Sequence, residues 1–116
     1  MRVETQPAAA GTYPNGFVRK YQRTMFCVPL TLHHLMKGGV RASHGISLDI
    51  GEGGLGALVQ GSLSVGETVT IDLPLAGSML RTVAIVRYSS DLGSGFEFVG
   101  ITREERARIA SIAGEN

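Results

Sequence analysis

The sequence predicts a mainly β fold, a small six-stranded antiparallel β-barrel followed by one C-terminal α-helix. Three observations lead to this prediction. Apolar and polar residues alternate in short stretches between Met25 and Val99, and a period of two is typical of half-buried strands. No helical stretch separates these strands, which favours antiparallel pairing in a barrel. The apolar period changes only after Thr102, where the helix is expected.

The predicted strands follow one another at short intervals. We expect them over residues 25–33, 40–50, 55–59, 68–73, 80–88 and 95–99. Turn-forming sequences such as Lys37-Gly38-Gly39 separate them. Pro29 lies in the first strand and has no N–H to donate, so this strand is expected at a sheet edge or at a bulge.

The C-terminal helix has clear boundary signals. Thr102 is a good N-cap, and Glu105 three residues later completes a capping box. Ile109 and Ile112 belong to one apolar stripe, and Gly114 is a suitable C-cap. We expect this helix to cover an open barrel end or an exposed edge.

The 116 residues suffice for one ordinary domain. Residues 1–16 contain two prolines and no apolar period, so a flexible tail is expected there and a single domain over residues 17–116. A formal net charge of +1 gives no bulk attraction to nucleic-acid polymers or anionic membranes. The single cysteine, Cys27, excludes an internal disulfide and is expected to be inert or partly buried. Because no signal-peptide or membrane-spanning stretch is apparent, we expect a cytoplasmic protein.

A cluster of cations lies just ahead of the first strand, on a segment expected to be flexible. Arg19, Lys20 and Arg23 fall within five residues. Guanidinium groups bind phosphate, or the O6/N7 edge of guanine, through two parallel hydrogen bonds. The alternative is an ordinary solvated charge run, which is the more common role of such clusters.

A glycine-rich segment over residues 48–56 lies between two predicted strands. Its simplest interpretation is a tight turn, which Gly and Asp favour. Glycines also let backbone N–H groups approach a ligand, and the carboxylate of Asp49 can accept hydrogen bonds from a guanine N–H edge. The segment is therefore a second candidate ligand site.

The same segment contains a misleading motif. Gly51, Gly53 and Gly56 form the pattern G-x-G-x-x-G, with Asp72 some way along the chain, as in dinucleotide-binding βαβ units. Glycines and serines interrupt the stretch that would have to form the crossover helix, and the chain is short for that architecture. A dinucleotide site is therefore not expected.

Metal and catalytic sites also have little support in the sequence. His33 and His34 are adjacent, so on a strand they point to opposite faces. No metal-ligand spacing emerges, and no nucleophile is paired with a base, so we expect neither a metal site nor an enzyme.

Together, the two clusters resemble the signature of the bacterial PilZ domain family. That signature is R-x-x-x-R followed at a distance by [DN]-x-S-x-x-G. Arg19 and Arg23 match its first part, and Asp49 and Gly54 match its second. The resemblance extends over about residues 19–112, including GSGFEFVGIT near the end of the barrel.

The resemblance implies a non-catalytic receptor for the second messenger cyclic di-GMP, with no cofactor besides this ligand. Its arginines would clamp a phosphate and a guanine edge, the aspartate would accept a guanine N–H edge, and the glycines would shape the turn. Binding would order the arginine segment and transmit the signal by that change. The implied ligand-binding residues are Arg19, Lys20, Arg23, Asp49, Gly51, Gly53 and Gly54.

One residue departs from the family signature, because Gly51 occupies the position of its serine. Losing one neutral hydrogen bond, worth ~0.5–1.5 kcal/mol, would weaken binding by up to about tenfold. This departure motivates the alternative of a PilZ-like protein-interaction module that has lost nucleotide binding. The expected partner in either case belongs to motility, secretion or polysaccharide machinery, and the chain would be a monomer or homodimer. A third hypothesis, a nucleic-acid-binding barrel, is disfavoured by the low charge and the few aromatic residues.

Overall fold

The computed structural model describes residues 23–75 and 77–114. Within them it contains the strands β1 (Arg23–Met25), β2 (Pro29–Met36), β3 (Gly39–Gly51), β4 (Gly54–Val59), β5 (Thr68–Leu75), β6 (Ser78–Ser90) and β7 (Gly93–Val99), followed by the helix α1 (Arg103–Gly114). The predicted mainly β fold with a C-terminal helix is confirmed. The tail expected over residues 1–16, like Arg19 and Lys20, lies outside the described residues.

Six of the strands close into a barrel. Their order is β3-β2-β5-β6-β7-β4, with β4 pairing back onto β3, and all of these pairs are antiparallel. The additional strand β1 lies beside the end of β3, where Arg23 pairs with Gly51 and Met25 with Asp49. Closure pairs the six strands on both sides, which is how a short antiparallel chain avoids long exposed edges.

The core fills the inside of the barrel. Alternate residues of each strand point inward, and the largest fully buried side chains include Leu32, Ile71, Leu73 and Phe96. Ile109 of α1 is 2% exposed and belongs to this core. The helix contacts β1 and β3, so it covers the part of the barrel where the extra strand is attached.

The capping box predicted for the helix is present. The N–H of Thr102 donates to Oε1 of Glu105 at 2.9 Å, and the N–H of Glu105 donates to Oγ1 of Thr102 at 3.1 Å. Two otherwise unpaired backbone donors at the start of the helix are thereby satisfied.

The first predicted strand is in fact two strands. Residues 26–28 interrupt it, and the hydroxyl of Ser47 on β3 holds the interruption in place. This hydroxyl accepts the N–H of Val28 at 2.9 Å and donates to the carbonyl of Phe26. The edge position predicted from Pro29 is wrong, because β2 lies between β3 and β5. Pro29 is tolerated because it is the first residue of its strand.

One other detail differs from expectation. Cys27 is exposed, so the prediction that it is partly buried is wrong.

The sheet contains two register irregularities among the described residues. One lies in β3 between Ser47 and Asp49, and the other in β6 between Val86 and Tyr88. Bulges of this kind re-aim the side chains beside them and are frequent next to functional sites.

Candidate functional site

The two sequence clusters meet through Arg23 and Asp49. The guanidinium of Arg23 donates from Nη1 to Oδ1 of Asp49 at 3.3 Å and from Nη2 to the carbonyl oxygen of Phe96 at 3.4 Å. Arg23 is only 2% exposed and belongs to β1, so the expectation that it lies on a flexible segment is wrong. Antiparallel pairing of β1 with β3 is what brings these motif residues together across 26 positions of sequence.

Asp49 follows directly on the irregularity in β3. Its Oδ1 also accepts the backbone N–H of Gly56 at 3.0 Å. The carboxylate side chain is 19% exposed, which leaves part of it accessible at the barrel surface. Asp49 therefore lies between a cation and a backbone donor while remaining within reach of a ligand.

Two glycines of β4 lie beneath these polar groups. A Cβ atom on Gly54 would overlap the carbonyl oxygen of Phe96 and lie 2.9 Å from Nη2 of Arg23. A Cβ atom on Gly56 would lie 3.2 Å from Oδ1 of Asp49. The absence of side chains at these positions lets the guanidinium and the carboxylate lie close against the sheet.

In the sequence, Gly56 ends the glycine-rich segment and completes the misleading G-x-G-x-x-G motif, but it is not among the predicted ligand-binding residues. The structure shows that it is the cross-strand partner of Asp49 in the β3–β4 hairpin. A signal was available, because a two-residue turn at Glu52 and Gly53 places Asp49 opposite Gly56. The motif lies on the β3–β4 hairpin rather than on the strand–turn–helix unit that dinucleotide-binding sites of this kind use.

The remaining glycines of the signature shape the hairpin. Gly51 is the last residue of β3, is buried and pairs with both Gly54 and Arg23. Gly53 lies in the turn, and its carbonyl oxygen accepts the N–H of Phe98 at 2.9 Å. This bond ties the turn to β7, so Gly53 has a structural role in addition to any contact with a ligand.

The site continues onto β7 and β6, which sequence reasoning did not include. Gly56 pairs with Gly95, and Gly95 pairs with Tyr88. The tyrosine ring lies over Gly95, because a Cβ atom on that glycine would overlap the ring. Next to these paired residues, Nε of Arg87 donates to Oε1 of Glu97 at 2.6 Å. No sequence signal identified these residues, because their proximity depends on the pairing of distant strands.

The charged residues of the candidate site lie outside a separate cleft on the barrel. A cleft of about 570 Å³ lies between β3, β4 and the β6–β7 hairpin, with His44, Ile46, Leu58 and Ser90 in its lining. Neither Arg23 nor Asp49 lines it. Because the charged groups of the signature lie outside the cleft, we place the candidate site on the barrel surface around the β3–β4 hairpin.

A separate buried cluster contradicts the expectation that no nucleophile is paired with a base. Nε2 of His34 is 2.8 Å from Oγ of Ser43, and its Nδ1 is 2.7 Å from Oε2 of Glu67. Burial raises the pKa of Glu67, but hydrogen bonds from His34 and the Ser64 N–H outweigh this effect and leave the pKa below its ordinary value. The order of groups is that of a serine–histidine–carboxylate triad.

The burial of this cluster argues against catalysis. Ser43 is 6% exposed, and its hydroxyl oxygen already accepts Nη1 of Arg41 at 3.0 Å. The cluster is therefore a hydrogen-bonded polar network within the barrel, and it satisfies groups that would be costly to bury unpaired.

The other histidine of the pair has a structural partner. Nε2 of His33 is 2.9 Å from Oδ2 of Asp72, which also accepts Nη2 of Arg81 at 2.8 Å. The hydrogen bond from Arg81 lowers the pKa of Asp72 to about 2, with a smaller contribution from His33. Among the residues that the structure describes, no three His, Cys, Asp or Glu side chains form a potential metal site. No helix in the described part of the chain is long and apolar enough to cross a membrane.

Fold and site together define a class of protein, a closed six-stranded barrel that carries an arginine and an aspartate beside a glycine hairpin on its surface. The PilZ domain family matches residues 17–114. The chain therefore belongs to the PilZ domain family, a family of cyclic di-GMP receptors whose members are generally non-catalytic. The resemblance found in the sequence is confirmed.

The solved structures that share this fold include a PilZ domain and an inhibitor of motility. The PilZ domain of CeSA from a cellulose-synthesizing bacterium has a TM-score of 0.61 and 16% sequence identity, covering 80% of this chain and 95% of that one. The Bacillus subtilis inhibitor of motility, MotI/DgrA, has a TM-score of 0.64 and 19% identity, covering 84% of this chain and 49% of that one. No curated protein matches the sequence.

Proposed function

We propose that this protein is a non-catalytic receptor that binds cyclic di-GMP at the surface around Arg23 and Asp49. The observation that carries the proposal is the 3.3 Å contact between these two residues beside the glycine hairpin, in a chain of the PilZ family. A guanidinium and a carboxylate in contact supply donors for a phosphate and an acceptor for a guanine N–H edge. A receptor for this second messenger acts in the cytoplasm, which is the location we propose.

The contacts of Arg23 suggest how a ligand would replace them. Its guanidinium donates to Asp49 at 3.3 Å and to the Phe96 carbonyl oxygen at 3.4 Å, among its contacts. A ligand phosphate would compete with Asp49 for the guanidinium and release that carboxylate for guanine. Arg19 and Lys20 would add positive charge from the segment that precedes β1.

The signal would then pass through β1. Arg23 is the first residue of this strand, and its backbone pairs with Gly51 at the end of the hairpin. Moving its guanidinium toward a ligand would therefore change the position of the chain on its N-terminal side. A partner of motility, secretion or polysaccharide machinery would respond to that change.

Calorimetric titration of cyclic di-GMP into the full chain tests the proposal. We expect a micromolar dissociation constant, weakened at least tenfold in Arg19→Ala and in Asp49→Asn, since paired arginine contacts and buried carboxylate bonds are each worth about 1–3 kcal/mol. Arg81→Ala is the matched control, because Arg81 also pairs with an aspartate on the barrel surface but lies away from the site. An absence of binding at high-micromolar ligand would refute the proposal, as would unchanged binding in both site variants.

A second candidate is an interaction module that no longer binds the nucleotide. Two observations favour it. Gly51 replaces the serine of the signature, and the apolar side chains of Ile46 and Met79 are 53% and 59% exposed on the barrel surface. One structure with this fold is described as an inhibitor of motility. Gly51→Ser separates the candidates, because a gain of at most about tenfold fits a receptor that already binds. Binding that appears only in the variant fits the interaction module.

A further inference from the structure

A row of four cross-strand partners runs from the signature aspartate across the barrel surface. Asp49 pairs with Gly56, Gly56 with Gly95, and Gly95 with Tyr88. Directly opposite residues of antiparallel strands face the same side of the sheet, so all four positions belong to one outer surface. We call these four residues the Asp49–Tyr88 row.

The two outer members of this row lean over its two glycines. The carboxylate of Asp49 lies over Gly56, and the ring of Tyr88 lies over Gly95. Because paired residues of neighbouring strands are about 4.5–5.5 Å apart, carboxylate and ring cover adjacent positions. A planar base that donates its N–H edge to Asp49 is therefore within reach of the tyrosine ring.

The register irregularities of the barrel mark the same row. One comes immediately before Asp49 in β3, and the other comes immediately before Tyr88 in β6. Each bulge changes the direction of the side chain that follows it. Their placement at both ends of one glycine row is consistent with the two side chains being directed toward a common surface.

A second guanidinium lies beside the row. Arg87 is the extra residue of the bulge in β6, and its guanidinium is held by Glu97 at 2.6 Å. Glu97 pairs with Gly54, over which the guanidinium of Arg23 lies. The side chains of Arg87 and Glu97 are each 32% exposed, and the pair lies next to the candidate site.

From this arrangement we infer that the ligand site extends along the Asp49–Tyr88 row. The Tyr88 ring forms its far wall and stacks on the guanine whose N–H edge Asp49 accepts, while Arg87 supplies a further cation for phosphate. This inference rests on the proposed function, because it concerns the same ligand. It assigns ligand contacts to two side chains that the family signature does not contain, Tyr88 for the base and Arg87 for phosphate.

The tyrosine could instead serve only to cover Gly95, so the test must separate stacking from stability. Calorimetric titration of cyclic di-GMP is carried out with the parent chain, Tyr88→Phe and Tyr88→Leu. Stacking requires an aromatic ring, so we expect at least tenfold weaker binding in Tyr88→Leu and a change of less than about threefold in Tyr88→Phe. Arg87→Ala is expected to bind about fivefold more weakly than Arg81→Ala, its control on the same strand, since one charge-assisted hydrogen bond is lost.

A second measurement uses only the parent chain, so it does not depend on the folding of a variant. In the NMR spectrum of the complex, the ring protons of Tyr88 should show a nuclear Overhauser contact with guanine H8. Binding by the parent without this contact, or with equal affinity in Tyr88→Leu, overturns the inference and leaves the proposed function intact. Absence of binding by the parent overturns both.

Discussion

Replacing Gly54 by alanine tests whether the site depends on close contact between strands. The new Cβ would lie within 3.0 Å of both the Phe96 carbonyl and Nη2 of Arg23, a separation that real Cβ atoms essentially never show. Because the carbonyl belongs to the neighbouring strand β7, relief requires movement of the backbone rather than of a side chain. Overpacking costs ~1–3 kcal/mol, and disturbed pairing between β4 and β7 adds to it. We expect a loss of about 3 kcal/mol in the free energy of unfolding.

Gly56→Ala is the matched control on the same strand. Its Cβ would lie 3.2 Å from Oδ1 of Asp49, the end of a side chain that can move by a few tenths of an ångström. We expect a stability loss below about 1 kcal/mol. The displaced carboxylate should nevertheless weaken binding of cyclic di-GMP several-fold, so this variant separates the effect on the ligand from the effect on the fold.

Urea unfolding of the full chain, followed by circular dichroism, measures both losses. Comparison of midpoints is valid where the dependence on denaturant is unchanged. If Gly54→Ala is as stable as the parent, or no less stable than Gly56→Ala, the close packing of β4 against β7 and Arg23 is refuted.

Two further predictions concern groups outside the site. The pKa of Asp72 is lowered from an ordinary 3.8 to about 2, mainly by the hydrogen bond from Arg81. A lowered folded-state pKa stabilises the protein above about pH 4, and this stabilisation is lost as the pH falls toward 2. Between pH 4 and pH 2, the free energy of unfolding of Asp72→Asn should therefore fall by about 1 kcal/mol less than that of the parent, as measured by urea unfolding. The difference is kept this small because solvent screens the charge of the exposed Arg81. His34→Ala should lose about 3 kcal/mol in the free energy of unfolding at pH 7, because it leaves a cavity and removes one hydrogen bond from each of Ser43 and Glu67.

Specific outcomes would contradict these two predictions. Equal acid sensitivity of Asp72→Asn and the parent would show that the carboxylate is not held in its charged form by Arg81. A His34→Ala variant as stable as the parent would show that the buried network contributes nothing to the barrel. Cyclic di-GMP binding by Asp72→Asn should match that of the parent, because Asp72 lies outside the candidate site.

The strands and the helix were predictable where local patterns dominate. The alternation over residues 68–73 predicted β5, and the Thr102–Glu105 capping box predicted the start of α1. The break between β1 and β2 was not predictable, since the hydroxyl that holds it belongs to Ser47 on another strand. The edge position inferred from Pro29 failed because barrel closure placed β2 between two neighbours.

The candidate site was predictable only in part. The spacing of Asp49 and Gly54 matched a known signature, and the described structure brings Arg23 to them. Gly95 and Tyr88 join the site through two strand pairings whose register no local pattern reveals. The His34–Ser43–Glu67 network was missed for the same reason, because its members come from different parts of the chain.

The sequence by itself determined which stretches are extended, where the hairpin turns, where the helix begins and which family signature the chain carries. These features depend on interactions between residues close together in the chain. Only the tertiary structure decided that Arg23 is buried against Asp49 and Phe96. It also decided that Tyr88 lies over Gly95, next to the glycine beneath Asp49. The physical reason is that strand register and bulges, set by closure of the barrel around one core, determine which distant side chains meet on its surface.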